Sequence, residues 1–224
     1  MRHFAYRLLM DREQSPQAEA FRSFRLILED TAQREELKTI LFTGTHQSDE
    51  YAMTAANVAV ALAYAGKRVL LVDANLRSPS LYRLFHVPNT GLVELLRSGK
   101  SAQEMLQPSH LKRLTLLPSG CSAEPPMSLL ARPRLTEILS ELKQSFDYVL
   151  IHSAPLLVTA SDIVSDACLL AAKTDGVILL VEACSVKAAK AKKAAEMLQG
   201  TRAKLLGLLM TRVKLADAFF QGAM

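Results

Sequence analysis

Six short apolar runs, none alternating with polar residues, constrain this chain more than any other feature. They are Thr39-Ile40-Leu41-Phe42-Thr43, Arg68-Val69-Leu70-Leu71-Val72-Asp73, Leu114-Thr115-Leu116-Leu117-Pro118, Tyr148-Val149-Leu150-Ile151, Gly176 to Glu182, and Lys204 to Met210. A strand with one wet face alternates, whereas a strand apolar throughout is covered on both faces. Helical stretches separate the runs: 52–65 is rich in small residues and closes at Gly66, 128–144 is amphipathic, and 186–199 is rich in Lys and Ala. Glycine is a common helix C-terminal cap. Alternation of this kind predicts an α/β chain in three αβα layers around a mostly parallel central sheet. Ligands of such sheets bind at the carboxyl ends of the strands. The places to search are just after Thr43, Val72, Ile151 and Met210.

The first 37 residues are charged and helical in pattern. Ser15-Pro16 marks a helix start, and Ala20, Phe21, Phe24, Ile27 and Leu28 follow with helical spacing. The expected organisation is a helical segment over 1–37, an α/β domain over 38–213 and a short tail over 214–224. Half of the 224 residues are hydrophobic, so one core forms without disulfides or metal. Cys121, Cys168 and Cys184 are widely spaced, with no CxxC or Cys/His cluster, which argues against zinc and for reduced thiols. The apolar runs are far shorter than the roughly 20 residues of a spanning helix. The N-terminus lacks the apolar stretch of a signal peptide. A cytoplasmic location is therefore expected. The net charge of +5 is mild and does not call for nucleic acid. Lys187, Lys190 and Lys193, with Lys192 nearby, form either a solvated helix face or a contact for anionic headgroups or an acidic partner.

Longer stretches carry a resemblance. KTILFTG, TAANVAVALAYAGKRVLLVDANLRSPSLYRLF, Asn89-Thr90-Gly91-Leu92, Leu117-Pro118-Ser119-Gly120, FDYVLIHSAP (146–155), DACLLAAKTDGVILLVEA (166–183) and KLLGLLMTRV (204–213) run through nearly the whole chain. In these segments it resembles the cytoplasmic domain of the bacterial tyrosine kinases of capsule and exopolysaccharide systems, in the ParA/MinD-like branch of P-loop ATPases. The resemblance implies a P-loop NTPase-like fold and, in active members, binding of Mg-ATP.

The residues that would touch nucleotide depart from that family. A P-loop wraps its glycine backbone around phosphates, reaches them with a Lys and holds Mg²⁺ with a Ser/Thr hydroxyl. This chain has Thr45-His46-Gln47-Ser48-Asp49-Glu50-Tyr51-Ala52. By the resemblance, Ser48 and Glu50 stand at glycine positions, Tyr51 at the lysine and Ala52 at the magnesium hydroxyl. Of an Asp-x-Asp pair after the second strand, Asp73 remains and Asn75 has lost its charge. His152 replaces the Walker B aspartate, and Thr211 the asparagine that meets adenine. Asp49 and Glu50 add negative charge where an anion would sit. The family's tyrosine-rich C-terminal tail is also missing, since residues 216–224 contain no tyrosine.

The expectation is therefore that no catalytic, cofactor or metal site operates here. One structural possibility is that the Tyr51 ring plugs the phosphate pocket. A rival is a new site made from His46, Asp49, Glu50, Tyr51, Asp73 and His152. A further rival is an atypical ATP-binding kinase with a displaced cation, drawn from Lys67, Arg68, Arg77 and Lys187. A third, a ParA/MinD-type membrane partner, finds only Phe219-Phe220 as a targeting tail, too short for the purpose. Glu19, Arg22 and Arg25 match the family's Glu-x-x-Arg-x-x-Arg oligomerisation motif, and their spacing suggests one helix face. The implied function is a pseudokinase scaffold. It would form a homo-oligomer, dock on a membrane polysaccharide co-polymerase or an active tyrosine kinase, and meet the membrane only through that partner. Arg77 and Ser78-Pro79-Ser80 also match the family's loop after Asp73, where Ser80 is expected to cap a helix.

Overall fold

The computed structural model describes residues 15–156, 165–183, 185–201 and 203–213. Helix α1 (Pro16–Arg34) starts where Ser15 accepts a hydrogen bond from the Ala18 amide. Strands β1 (Thr39–Gly44) and β2 (Val69–Ala74) flank helix α2 (Asp49–Tyr64) in sequence. The short helices α3 (Leu81–Phe85) and α4 (Leu92–Arg97) follow, then a 3₁₀ turn (Ala102–Met105), β3 (Gln107–Pro108) and β4 (Leu114–Leu117). Helices α5 (Pro126–Leu130) and α6 (Pro133–Ser145) lead to β5 (Tyr148–Ser153). Helix α7 (Asp166–Ala171), β6 (Gly176–Glu182), α8 (Ala188–Gln199) and β7 (Leu205–Thr211) complete the described elements.

The strands form one sheet in the order β3-β4-β2-β5-β1-β6-β7, parallel throughout except for the β3–β4 pair. Two cores lie against it. On one side Leu41, Leu70, Val149 and Leu179 pack with residues of α4 to α8. On the other Ile40, Phe42, Leu71 and Leu150 pack with α1, α2 and α3. Successive residues of each strand thus serve opposite cores, which is why the apolar runs do not alternate.

Four details differ from the sequence expectation. A seventh strand, β3, is two residues long and ends in Pro108, too short to leave a pattern. Helix α2 begins at Asp49 rather than 52, because the Ser48 side chain accepts from the Glu50 amide and caps the helix there. The 128–144 helix is two helices, broken at Arg132 because the residue before Pro133 is forced out of the helical region. Ser80 precedes α3 as expected, but its side chain makes no cap; a carboxylate from β2 does that work.

Candidate functional site

The carboxyl ends of β1, β2, β5, β6 and β7 carry the buried polar residues Thr43, Thr45, Asp73, His152, Glu182 and Thr211. Sheet register sets Asp73 beside His152 and Glu182 beside Thr211. Helix α2 rises from this edge and aims its first turn at it.

Tyr51, in that first turn, is buried at 2 % exposure. Its ring lies directly on the Gly44 backbone: a Cβ added to Gly44 would stand 1.9 Å from the ring's Cε2. Glycine is required at position 44 for this close approach. The Tyr51 hydroxyl is 3.1 Å from His46 Nδ1 and 3.5 Å from Thr45 Oγ1. His46 Nε2 lies 2.9 Å from Glu182 Oε2, and Arg212 donates to the other Glu182 oxygen at 2.6 Å. A carboxylate only accepts, so Nε2 carries the proton, and in neutral imidazole Nδ1 then accepts from Tyr51. The His46 and Tyr51 rings meet edge to face at 5.4 Å. A chain of hydrogen bonds therefore ties the start of α2 to β1, β6 and the end of β7.

Burial pushes the Tyr51 phenol above its ordinary pKa despite the Thr45 hydrogen bond, so the ring is neutral. Burial raises Glu50 as well, opposed by Arg212 and reinforced by Glu182 and Asp49. At Glu182 burial acts upward, but hydrogen bonds from Arg212 and His46 and the charge of Arg212 outweigh it and hold the carboxyl below its usual range. Burial depresses His152, opposed by Asp73 and Asp49, and its Nδ1 has no hydrogen-bond partner.

Asp73 faces a different duty. It is fully buried and accepts from the amides of Asn75 (3.2 Å), Ser80 (2.9 Å) and Leu81 (3.0 Å). Asn75 accepts from the Ser78 amide. Of the six residues of the rival site, His46 and Tyr51 join one network, Asp49 and Glu50 open the first turn of α2, Asp73 caps α3, and His152 lies on β5 between β1 and β2. Among the described residues no group of three or more His, Cys, Asp or Glu is arranged to hold a metal ion.

The displaced-cation candidates fare differently from one another. Lys67 and Arg68 stand before the amino end of β2, at the opposite edge from Asp73, and pair with Glu29 and Asp147. That position removes both from the list. Arg77 grips the buried Asp166 through two hydrogen bonds at 2.6 and 3.2 Å. Lys187 precedes α8 and is exposed, as are Lys190, Lys192 and Lys193. Sequence reasoning missed Glu182 and Arg212. The strand-end rule, applied also to Gly176–Glu182, reaches the first; the second follows Thr211 directly.

On α1, Arg22 bonds Glu19 at 3.0 Å and both are exposed, whereas Arg25 turns inward to Glu29. A spacing of three drifts by about 60° per step, so the three residues do not share one face. Cys121 is exposed and Cys168 half-buried, both unpaired; Cys184 lies outside the described residues, as does the 214–224 tail. Among the described residues no helix is long and apolar enough to cross a membrane.

An AAA-domain family profile matches residues 51–204. The chain is 32 % identical over 210 residues to the tyrosine-protein kinase YwqD of Bacillus subtilis, covering 93 % of this chain and 86 % of that one. The chain belongs to the bacterial tyrosine-kinase family. Succinoglycan biosynthesis transport protein ExoP of Rhizobium meliloti is 31 % identical over 180 residues, 79 % of this chain but 22 % of that much longer one. Among solved structures, the chimerical protein CapA2B2 superposes with a TM-score of 0.85 at 28 % identity, covering 95 % of this chain and 92 % of that one. The sheet of this kinase-family chain is accordingly that of the P-loop NTPases.

Proposed function

We propose that this chain is a non-catalytic member of its family, a pseudokinase that serves as a scaffold in a polysaccharide biosynthesis and export system. The observation that carries the reading is Tyr51, with its ring on Gly44 and its hydroxyl bonded into the Thr45–His46–Glu182 network. Mg-triphosphate does not fit these residues. The ground that a P-loop leaves open for phosphate is filled by a neutral phenol. Glu50 and Asp49 border it, and a carboxylate about 4 Å from an anionic oxygen repels it by roughly 4 kcal/mol at an effective dielectric near 20. Ala52 offers no hydroxyl and His152 no oxygen for a hard divalent ion. No ATP, magnesium or other cofactor belongs to this reading.

The rest follows from kinship. Relatives carry the names tyrosine-protein kinase and succinoglycan biosynthesis transport protein. The chain would act at the inner face of the plasma membrane, bound to a co-polymerase or an active kinase, and self-assemble through α1, where Glu19, Arg22 and Arg25 lie. The rival reading, an atypical ATP-binding kinase, keeps Arg77 and Lys187, which follow the carboxyl ends of β2 and β6. Calorimetric titration separates the two. The expected result is no Mg-ATP binding tighter than about millimolar and no autophosphorylation. Micromolar binding would overturn the proposal, and loss of phosphotransfer on replacing Arg77 and Lys187 would establish the rival.

A further inference from the structure

Helix α8 opens with Lys187 at its cap and carries Lys190, Lys192 and Lys193 in its next turns, and all four are exposed. Among the described residues they meet a single carboxylate, that of Glu196, 3.9 Å from Lys192. The inward side of the helix is taken by Ala194 and Leu198, which join the core shared with the sheet. At 100° per residue, Lys192 and Lys193 straddle the outward line through Ala189, and Lys190 stands on the flank. The same side of the sheet keeps an apolar strip in the open. On β7, Leu209 packs with the opposite core, beside α1 and α2. Leu208 and Met210 alternate with it and so turn to the α8 side, where they stay 50 % and 53 % exposed. Because β6 and β7 are parallel, α8 runs back between them. Helix and strand are of similar length, about 18 and about 20 Å. The lysine-bearing half of α8 is therefore level with the carboxyl half of β7, where Leu208 and Met210 stand.

We propose that this face, α8 together with Leu208 and Met210, lies directly on a bilayer surface rich in anionic headgroups. Its charge is one-sided, four ammonium groups against Glu196, on a chain of net charge +5. The residue types select a lipid surface over a folded partner. Protein interfaces are depleted in Lys and anchored by Tyr, Trp and Arg, and residues 187–199 contain none of those three anchors. Alanines between the lysines leave an even surface with neither knob nor socket. Lysine's compact, mobile charge attracts headgroups without a fixed geometry. Leu208 and Met210 add the apolar area that strengthens interfacial binding. The contact is direct, without the co-polymerase or kinase that would otherwise bring the chain to the membrane. It does not depend on whether nucleotide binds.

The test is co-sedimentation of the full chain with vesicles at low salt, with circular dichroism to verify the fold of each variant. Wild type should bind vesicles of mixed phosphatidylglycerol and phosphatidylcholine, leave phosphatidylcholine vesicles alone, and be released by high salt. Lys190→Gln, Lys192→Gln and Lys193→Gln together should weaken binding about a hundredfold, at roughly fivefold per charge. Lys100→Gln, Lys112→Gln and Arg113→Gln together remove the same charge from exposed sites elsewhere, and should cost less than about tenfold. The chain has no tryptophan, so Met210→Trp reports on the apolar strip alone, and its emission should shift to the blue on anionic vesicles. An equal loss in both triple variants would mean that net charge alone acts, and would overturn the proposal. So would unmoved Trp emission, or equal binding to both kinds of vesicle. Capture of polyglutamate by a chain that refuses anionic vesicles would assign the face to an acidic polypeptide and likewise overturn it.

Discussion

Tyr51 and Gly44 form a pair in which each residue explains the other. The ring needs a neighbour without a side chain, and Gly44 leaves none. Gly44→Ala should cost about 1–3 kcal/mol or more through overpacking, and Tyr51→Ala about 3–5 kcal/mol through the space it empties. Together they should cost far less than the two summed, because the added methyl then enters a vacated volume. Urea denaturation of the four proteins measures that coupling; additive losses would mean the ring is held by something other than Gly44. The residues that the resemblance marks as departures, Ser48, Glu50, Tyr51, Ala52, Asn75, His152 and Thr211, were legible in the sequence. What they do instead was not. The partners of His46 and Tyr51 come from strand ends far away in the chain, as with His46 and Glu182, which are 136 positions apart. No local pattern encodes a hydrogen bond of that span.

Among the elements, the join between β2 and α3 is held by one buried carboxylate. Asp73, which the resemblance matches to a family carboxylate, accepts from three backbone amides. Asp73→Asn should therefore destabilise the fold by about 2–3 kcal/mol, the range for a lost charge-assisted bond in a buried setting. Thermal or urea unfolding would register it, and an unchanged midpoint would mean that Asp73 is idle structurally. The long elements were visible in the sequence because apolar runs and small-residue patches persist over many residues. Helices α3, α4 and α7 have five or six residues, too few turns to display a period. Helix α2 was expected three residues late, although Ser48 followed by Asp49 and Glu50 is a legible cap with an acidic first turn. The resemblance to a phosphate loop drew attention away from it.

For the molecule as a whole, the buried ionisable groups make folding sensitive to acid. His152 has its pKa depressed below the ordinary 6.5, chiefly by burial. Below pH 6.5 the unfolded chain takes up a proton that the folded chain refuses, so stability falls as pH drops through that window. Glu182, held below its ordinary 4.5, adds a second loss of the same sign at lower pH, when the folded carboxylate is finally protonated. Unfolding midpoints should decline from neutral pH downward. His152→Asn should flatten the upper part of that decline, and Glu182→Gln the lower. A profile flat between neutrality and the carboxylate range would contradict the assignment for His152.

One further consequence concerns α2, which is enclosed at every position from Tyr51 to Ala63. Most helices at a protein surface keep an outward side on which sequence drifts freely. This one has no such side, and its many alanines leave little room for anything larger. Heritable change along it is squeezed to the two ends: the Ser48–Glu50 tip beneath the strand ends, and Tyr64, which meets solvent. Any novelty this lineage acquires along this rod must therefore be written at those two ends.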